Sequence, residues 1–115
     1  MYLSYQSEKL TNAVRALAIL SGSIQSRLEN AFLAAHTLDV HQFPESEPEM
    51  CESWDEIRAR LNAVAASQPE DGTLQATLRE MDNDEAEEIA KMIVDLYFEV
   101  ESARRERREA ELRGA

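Results

Sequence analysis

Asp82-Asn83-Asp84, followed by Glu85, Glu87 and Glu88, sets oxygen ligands close together in the manner of a calcium loop opening. The register then fails. Counted from Asp82, the fifth position is Ala86, the sixth is Glu87 where glycine makes the sharp turn, and the twelfth is Ile93 where a bidentate glutamate belongs. A helix start explains the run better, with Asp82 or Asn83 as cap and acids in the first turn complementing the macrodipole. His36, Asp39, His41 and Cys51 are the transition-metal candidates. The two histidines are five residues apart, which does not put them on one helical face, and no Glu-x-x-His pair exists to suggest a di-iron bundle. Cys51 is expected near the start of a helix, where the dipole favours a thiolate, but Glu47, Glu49, Glu52 and Asp55 oppose that charge. It reads as a small packing residue. No metal, no cofactor and no enzymatic activity are therefore expected, since abundant carboxylates without a coupled pair or cleft identify no general acid or base.

Charge distribution is more informative. Residues 1–38 carry a net +1, residues 39–100 a net −13 and residues 101–115 a net +1, which makes the −11 of the whole chain. A block that acidic repels phosphate backbones and attracts basic proteins. Two segments, 45–56 and 70–88, hold most of it with at most one basic residue each, so the candidate partner-binding acids are Glu45, Glu47, Glu49, Glu52, Asp55, Glu70, Asp71, Asp82, Asp84, Glu85 and Glu88. Arg104, Arg105, Arg107 and Arg108 form the opposite pole and complete the set. Direct nucleic-acid binding by these arginines is not expected, because Glu101, Glu106, Glu109 and Glu111 nearly cancel them.

The elements that must position these groups are helices. Three Gly and three Pro in 115 residues leave little turn chemistry, and no alternating β-branched run is present. A first helix over about Ser7 to Leu20 shows Leu10, Val14, Leu17 and Leu20 on one face. Ser21-Gly22-Ser23 ends it, with Gly22 suited to a left-handed conformation and Ser23 placed to cap the next helix, so the pair forms an antiparallel hairpin. The second helix carries Ile24, Leu28, Ala31, Phe32, Ala35 and Leu38. Phe43-Pro44 marks a loop whose Phe turns inward. Ser46-Glu47-Pro48-Glu49 then reads as a capping box, Ser46 accepting from the Glu49 amide. The third helix has the clearest stripe, Met50, Trp54, Ile57, Leu61 and Val64, with Trp54 in the core. A break over residues 67–72 follows, then a short helix capped by Thr73 with Leu74, Leu78 and Met81 inward.

The last helix buries Ile89, Ile93, Leu96 or Tyr97, and Val100, then changes at Ala103 to a charged sequence with no stripe wide enough to bury. From Asp84 to Leu112 it would run about 43 Å at 1.5 Å per residue and project roughly three turns past the body. Pairs such as Glu101 with Arg105 and Arg107 with Glu111 add only about 0.2–0.5 kcal/mol each.

The expected fold is all-α: a compact bundle of four to five helices over residues 1–103, one domain, with residues 104–115 as a charged, exposed extension of the last helix. Met1-Tyr2-Leu3-Ser4-Tyr5 lacks the basic start and apolar run of a signal peptide, and no apolar stretch approaches the ~20 residues of a membrane span. A cytoplasmic location without a membrane partner is expected, in keeping with a single cysteine. The expected function is a non-enzymatic acidic module, an inhibitor or adaptor, that engages a basic surface of a partner protein. The alternative is a structural protein that forms a homo-oligomer through its long last helix, sharing Ile89, Ile93, Leu96, Tyr97 and Val100 between core and seam.

Overall fold

Ala86, Ile89, Ile93, Leu96 and Val100 repeat at intervals of three and four residues, and in the computed structural model they form the buried stripe of a 32-residue helix against which three other helices pack. The structure describes residues 1–66 and 72–114. Five α-helices and no strand occur among them: α1 (Ser4–Ile19), α2 (Ile24–Ala35), α3 (Pro48–Leu61), α4 (Thr73–Glu80) and α5 (Asn83–Gly114). The all-α bundle expected from the sequence is the observed architecture. At 1.5 Å per residue α5 is about 48 Å long, close to the 56 Å long axis of a molecule only 27 × 21 Å across.

Side-chain contacts set the helix directions. α1 and α2 form the expected antiparallel hairpin: Ser23 caps α2 by accepting from the Ser26 amide (3.0 Å), and Gly22 takes φ 109°. At the opposite end, the Tyr5 hydroxyl meets Thr37 Oγ1 at 2.7 Å. α1 runs antiparallel to α5, because Ser7 near its start donates to Glu101 and accepts from Arg104 (2.9 Å) far along α5. α3 is also antiparallel to α5: Arg60 near its end meets Glu85 (3.7 Å) and Glu88 (3.3 Å) near the start of α5. α2 begins where α5 begins, Gln25 reaching the Met81 carbonyl (2.9 Å) and Asn83 (3.0 Å). Short α4 closes that end of the bundle, its buried Thr77 accepting from the Val64 amide at 2.9 Å.

The segment between α2 and α3 is tied down by one carbonyl. Leu38 lies beyond the end of α2, fully buried, and its carbonyl accepts from Trp54 Nε1 (2.8 Å) and Arg58 Nη1 (3.0 Å). Trp54 has no solvent exposure and stacks on Phe32 with ring centroids 6.0 Å apart. A short 3₁₀ turn, Val40–Gln42, follows where the sequence suggested only a loop; Asp39 caps it by accepting from the His41 amide (2.9 Å). Phe43 is buried as expected.

Several local expectations are corrected. α1 starts at Ser4, one turn early, and Leu20 lies outside its buried face, exposed with Ile19, while Val14 is half-buried. The Ser46–Glu49 capping box does not form: α3 starts at Pro48 with Glu47 at the cap position and no side-chain cap. Glu47, at the cap position, accepts from the Tyr2 hydroxyl at 2.7 Å. α3 ends at Leu61, which leaves Val64 off the stripe. Gly72, not Thr73, precedes α4; the Thr73 hydroxyl donates to Asn62 (2.6 Å). Glu101 pairs with Arg104 (3.6 Å), not with Arg105, whereas the Arg107–Glu111 pair forms at 3.7 Å. Asp82 caps α5 as expected, accepting from the Glu85 amide at 2.9 Å.

Beyond Arg104 every described side chain of α5 is exposed, although Arg107 still reaches back to the Tyr2 ring. Ile89, Ile93, Leu96 and Val100 are buried within one chain and Tyr97 is half-buried. Replacing Trp54 by Phe removes a buried N–H donor and some volume, and should lower the unfolding free energy by about 2 kcal/mol in urea melts followed by circular dichroism. Removal of residues 105–115 should change the same quantity by under about 1 kcal/mol, because it touches no core residue.

Candidate functional site

The antiparallel packing of α3 on α5 decides where charge accumulates. At one end, Arg60 sits between the helices and neutralises Glu85 and Glu88; the Glu88 hydrogen bond is the main reason its guanidinium holds its proton more tightly than usual. No such cation occupies the other end. There the first turn of α3 and the middle of α5 line an open groove of about 610 Å³. Glu49 and Met50 come from α3 and Glu47 from its cap position; Asp95, Phe98, Glu99, Ser102, Ala103 and Glu106 come from α5. The α5 residues follow 3.6-residue periodicity and lie on the flank beside the buried Leu96 and Val100.

Among the described residues no basic side chain lines this groove. The Glu99 carboxyl is accordingly held above its ordinary pKa, first by partial burial and then by the like charges of Glu49, Asp95 and Glu47. Phe98 is 60% exposed, an unusual position for an aromatic ring, and is oriented by an edge contact with Tyr97 (centroids 5.4 Å apart, 60° between planes). The groove sets the carboxylates of Glu47, Glu49, Asp95, Glu99 and Glu106 beside an exposed aromatic ring.

Of the partner-binding candidates among the described residues, Glu47 and Glu49 reach this groove. Glu45, Glu52 and Asp55 are exposed on or beside α3 but do not line it. Asp82 caps α5, Asp84 is exposed in its first turn, and Glu85 and Glu88 are engaged by Arg60. The two acidic segments therefore do not merge as such. Glu70 and Asp71 lie outside the described residues. Among the arginines, Arg104 is tied to Ser7 and Glu101, and Arg107 stacks on the Tyr2 ring (4.3 Å) while pairing with Glu111. With Arg108 they line a separate cleft beside Tyr2. Arg105 is exposed.

Asp95, Phe98, Glu99 and Glu106 were missed. Their signal is present in the sequence: they fall at i, i+3, i+4 and i+11, and Phe98 is a large aromatic outside the buried stripe. The former metal candidates have local roles. His36 Nδ1 meets the Leu33 carbonyl at 2.6 Å, and half-buried Cys51 directs its thiol to the Val40 carbonyl at 3.4 Å. Among the described residues no three His, Cys, Asp or Glu side chains are grouped so as to hold a metal ion, and no helix is long and apolar enough to cross a membrane.

No family model, curated protein or solved structure matches this chain, so the groove is interpreted from its own chemistry.

Because its neighbours disfavour its charge, Glu99 binds its proton more readily in the folded chain than in the unfolded one. It therefore lowers stability as pH rises through the carboxylate range. Glu99→Gln should raise the melting temperature at neutral pH, and the gain should shrink as pH is lowered until the wild-type carboxyl is protonated. Differential scanning calorimetry across that range checks the sign.

Proposed function

We propose that this chain is a non-enzymatic protein-binding module, acting as an inhibitor or adaptor, whose acidic groove between the start of α3 and the middle of α5 engages a basic surface of a partner protein. The observation that carries this reading is a groove that, among the described residues, holds Glu47, Glu49, Asp95, Glu99 and Glu106 beside an exposed Phe98 with no basic residue in its lining. Bringing a Lys or Arg from a partner into this field relieves like-charge repulsion that the folded chain otherwise carries. The net charge of −11 adds long-range steering towards basic proteins and away from nucleic acid.

Self-association through α5 is the second functional class, and the geometry supports it less. Its apolar seam would draw on Ile89, Ile93, Leu96 and Val100, which are buried within one chain. The exposed flank that remains carries Asp95, Glu99 and Glu106, so two copies laid together there would meet like charge.

Immobilised protein should retain basic proteins from a native extract at low salt and release them as salt rises. The charge-reversed double variant Asp95→Lys, Glu99→Lys, with an unchanged circular dichroism spectrum, should retain at least about tenfold less, a difference of about 1.4 kcal/mol. Equal retention by the two proteins, or retention indifferent to salt, would remove the groove from the mechanism.

A further inference from the structure

We infer that the occupant of the groove is a basic amphipathic α-helix of the partner, seated lengthwise between the start of α3 and the flank of α5; this rests on the binding function proposed above. Three features of the groove favour a helix over an extended basic tail. The α5 wall presents Asp95, Glu99 and Glu106 at separations of four and seven residues, about 6 and 10.5 Å along the axis. Those are the intervals between residues on one face of another helix, so Arg or Lys four and seven apart can meet each carboxylate in turn. Glu47 and Glu49 stand on the opposite wall and hold the same segment from the other side.

Between the acids the lining is uncharged. Ser102 and Ala103 are small, which permits close approach of a backbone, and Met50 is buried beneath. Phe98 adds an aromatic ring that is largely exposed and already oriented by Tyr97. A helix with basic and apolar residues on adjoining faces satisfies both features together. An extended segment sends successive side chains to opposite faces, so when its charged face meets the carboxylates its apolar face points away from Phe98.

A second copy of this chain fits less well as occupant. The exposed flank of α5 continues past Glu106 to Glu109, and Arg104 and Arg107 already have partners within the chain, Ser7 and Glu101 for the one, Tyr2 and Glu111 for the other.

Two fluorescein-labelled peptides of about 15 residues, long enough for four turns, provide the test by fluorescence anisotropy. One carries Arg at four- and seven-residue intervals with Leu on the adjoining face. The other has the same composition shuffled so that neither residue type keeps a face. The amphipathic peptide should bind at least about tenfold more tightly and gain helical circular dichroism on binding. Phe98→Ser, at an exposed position that leaves the core intact, should weaken it about fivefold or more, with little effect on the shuffled peptide.

Equal affinity for the two peptides overturns the helical occupant. If in that case the Asp95→Lys, Glu99→Lys variant loses both, the groove reads charge alone and only this inference falls. If neither peptide binds the wild-type protein at low salt, the binding function falls with it.

Discussion

α5 has a single apolar stripe, and three other helices depend on it. Ala86, Ile89, Ile93, Leu96 and Val100 occupy one side of the helix, and α1, α2 and α3 all pack against it. Because the stripe is narrow, everything else on α5 is left to solvent or to the margins of neighbouring helices. That constraint produces the two most distinctive features of the molecule. The flank beside α3 becomes one wall of an acidic groove, and the turns after Arg104, where the stripe has run out, project as a charged rod.

Antiparallel packing sorts the carboxylates of the central acidic block into an asymmetric field. Arg60 is carried to the start of α5, where it meets Glu85 and Glu88. The same alignment carries Glu47 and Glu49 to the middle of α5, where Asp95, Glu99 and Glu106 wait without a cation. Surface pairs such as those of Arg60 contribute little stability, about 0–1 kcal/mol each. Their larger consequence is to leave one end of the α3–α5 face electrostatically satisfied and the other end open to a partner.

The margins of the bundle are held by polar contacts between elements distant in sequence. Ser7 links α1 to Glu101 and Arg104, while Tyr2 contacts both Glu47 and Arg107. The Leu38 carbonyl, accepting from Trp54 and Arg58, fastens the connection between α2 and α3. Local rules did not hold everywhere. Ser46 makes no cap although its spacing to Glu49 fits the motif, and α3 starts one residue later with Glu47 at the cap position, its carboxylate accepting from the Tyr2 hydroxyl. Leu20 continues the spacing of α1, but the helix ends at Ile19 and the chain turns towards Gly22 before Leu20 can be covered.

Spacing along the chain determined the helices and their inward faces: Met50, Trp54, Ile57 and Leu61 are buried as their intervals require, Ser23 and Asp82 cap as their positions require, and the charged end of α5 is exposed. These are interactions within a few residues, and neighbouring side chains suffice to set them. The groove was not legible in that way. Glu49 and Glu99 stand half the chain apart, and nothing in either segment says which exposed carboxylates of one helix will face those of another. Only the docking of α3 against α5 decided that Glu47 and Glu49 belong with Asp95 and Glu99 while Glu85 and Glu88 belong with Arg60. Helix direction and register come from burying apolar stripes, and the charges on the flanks are carried wherever that burial puts them.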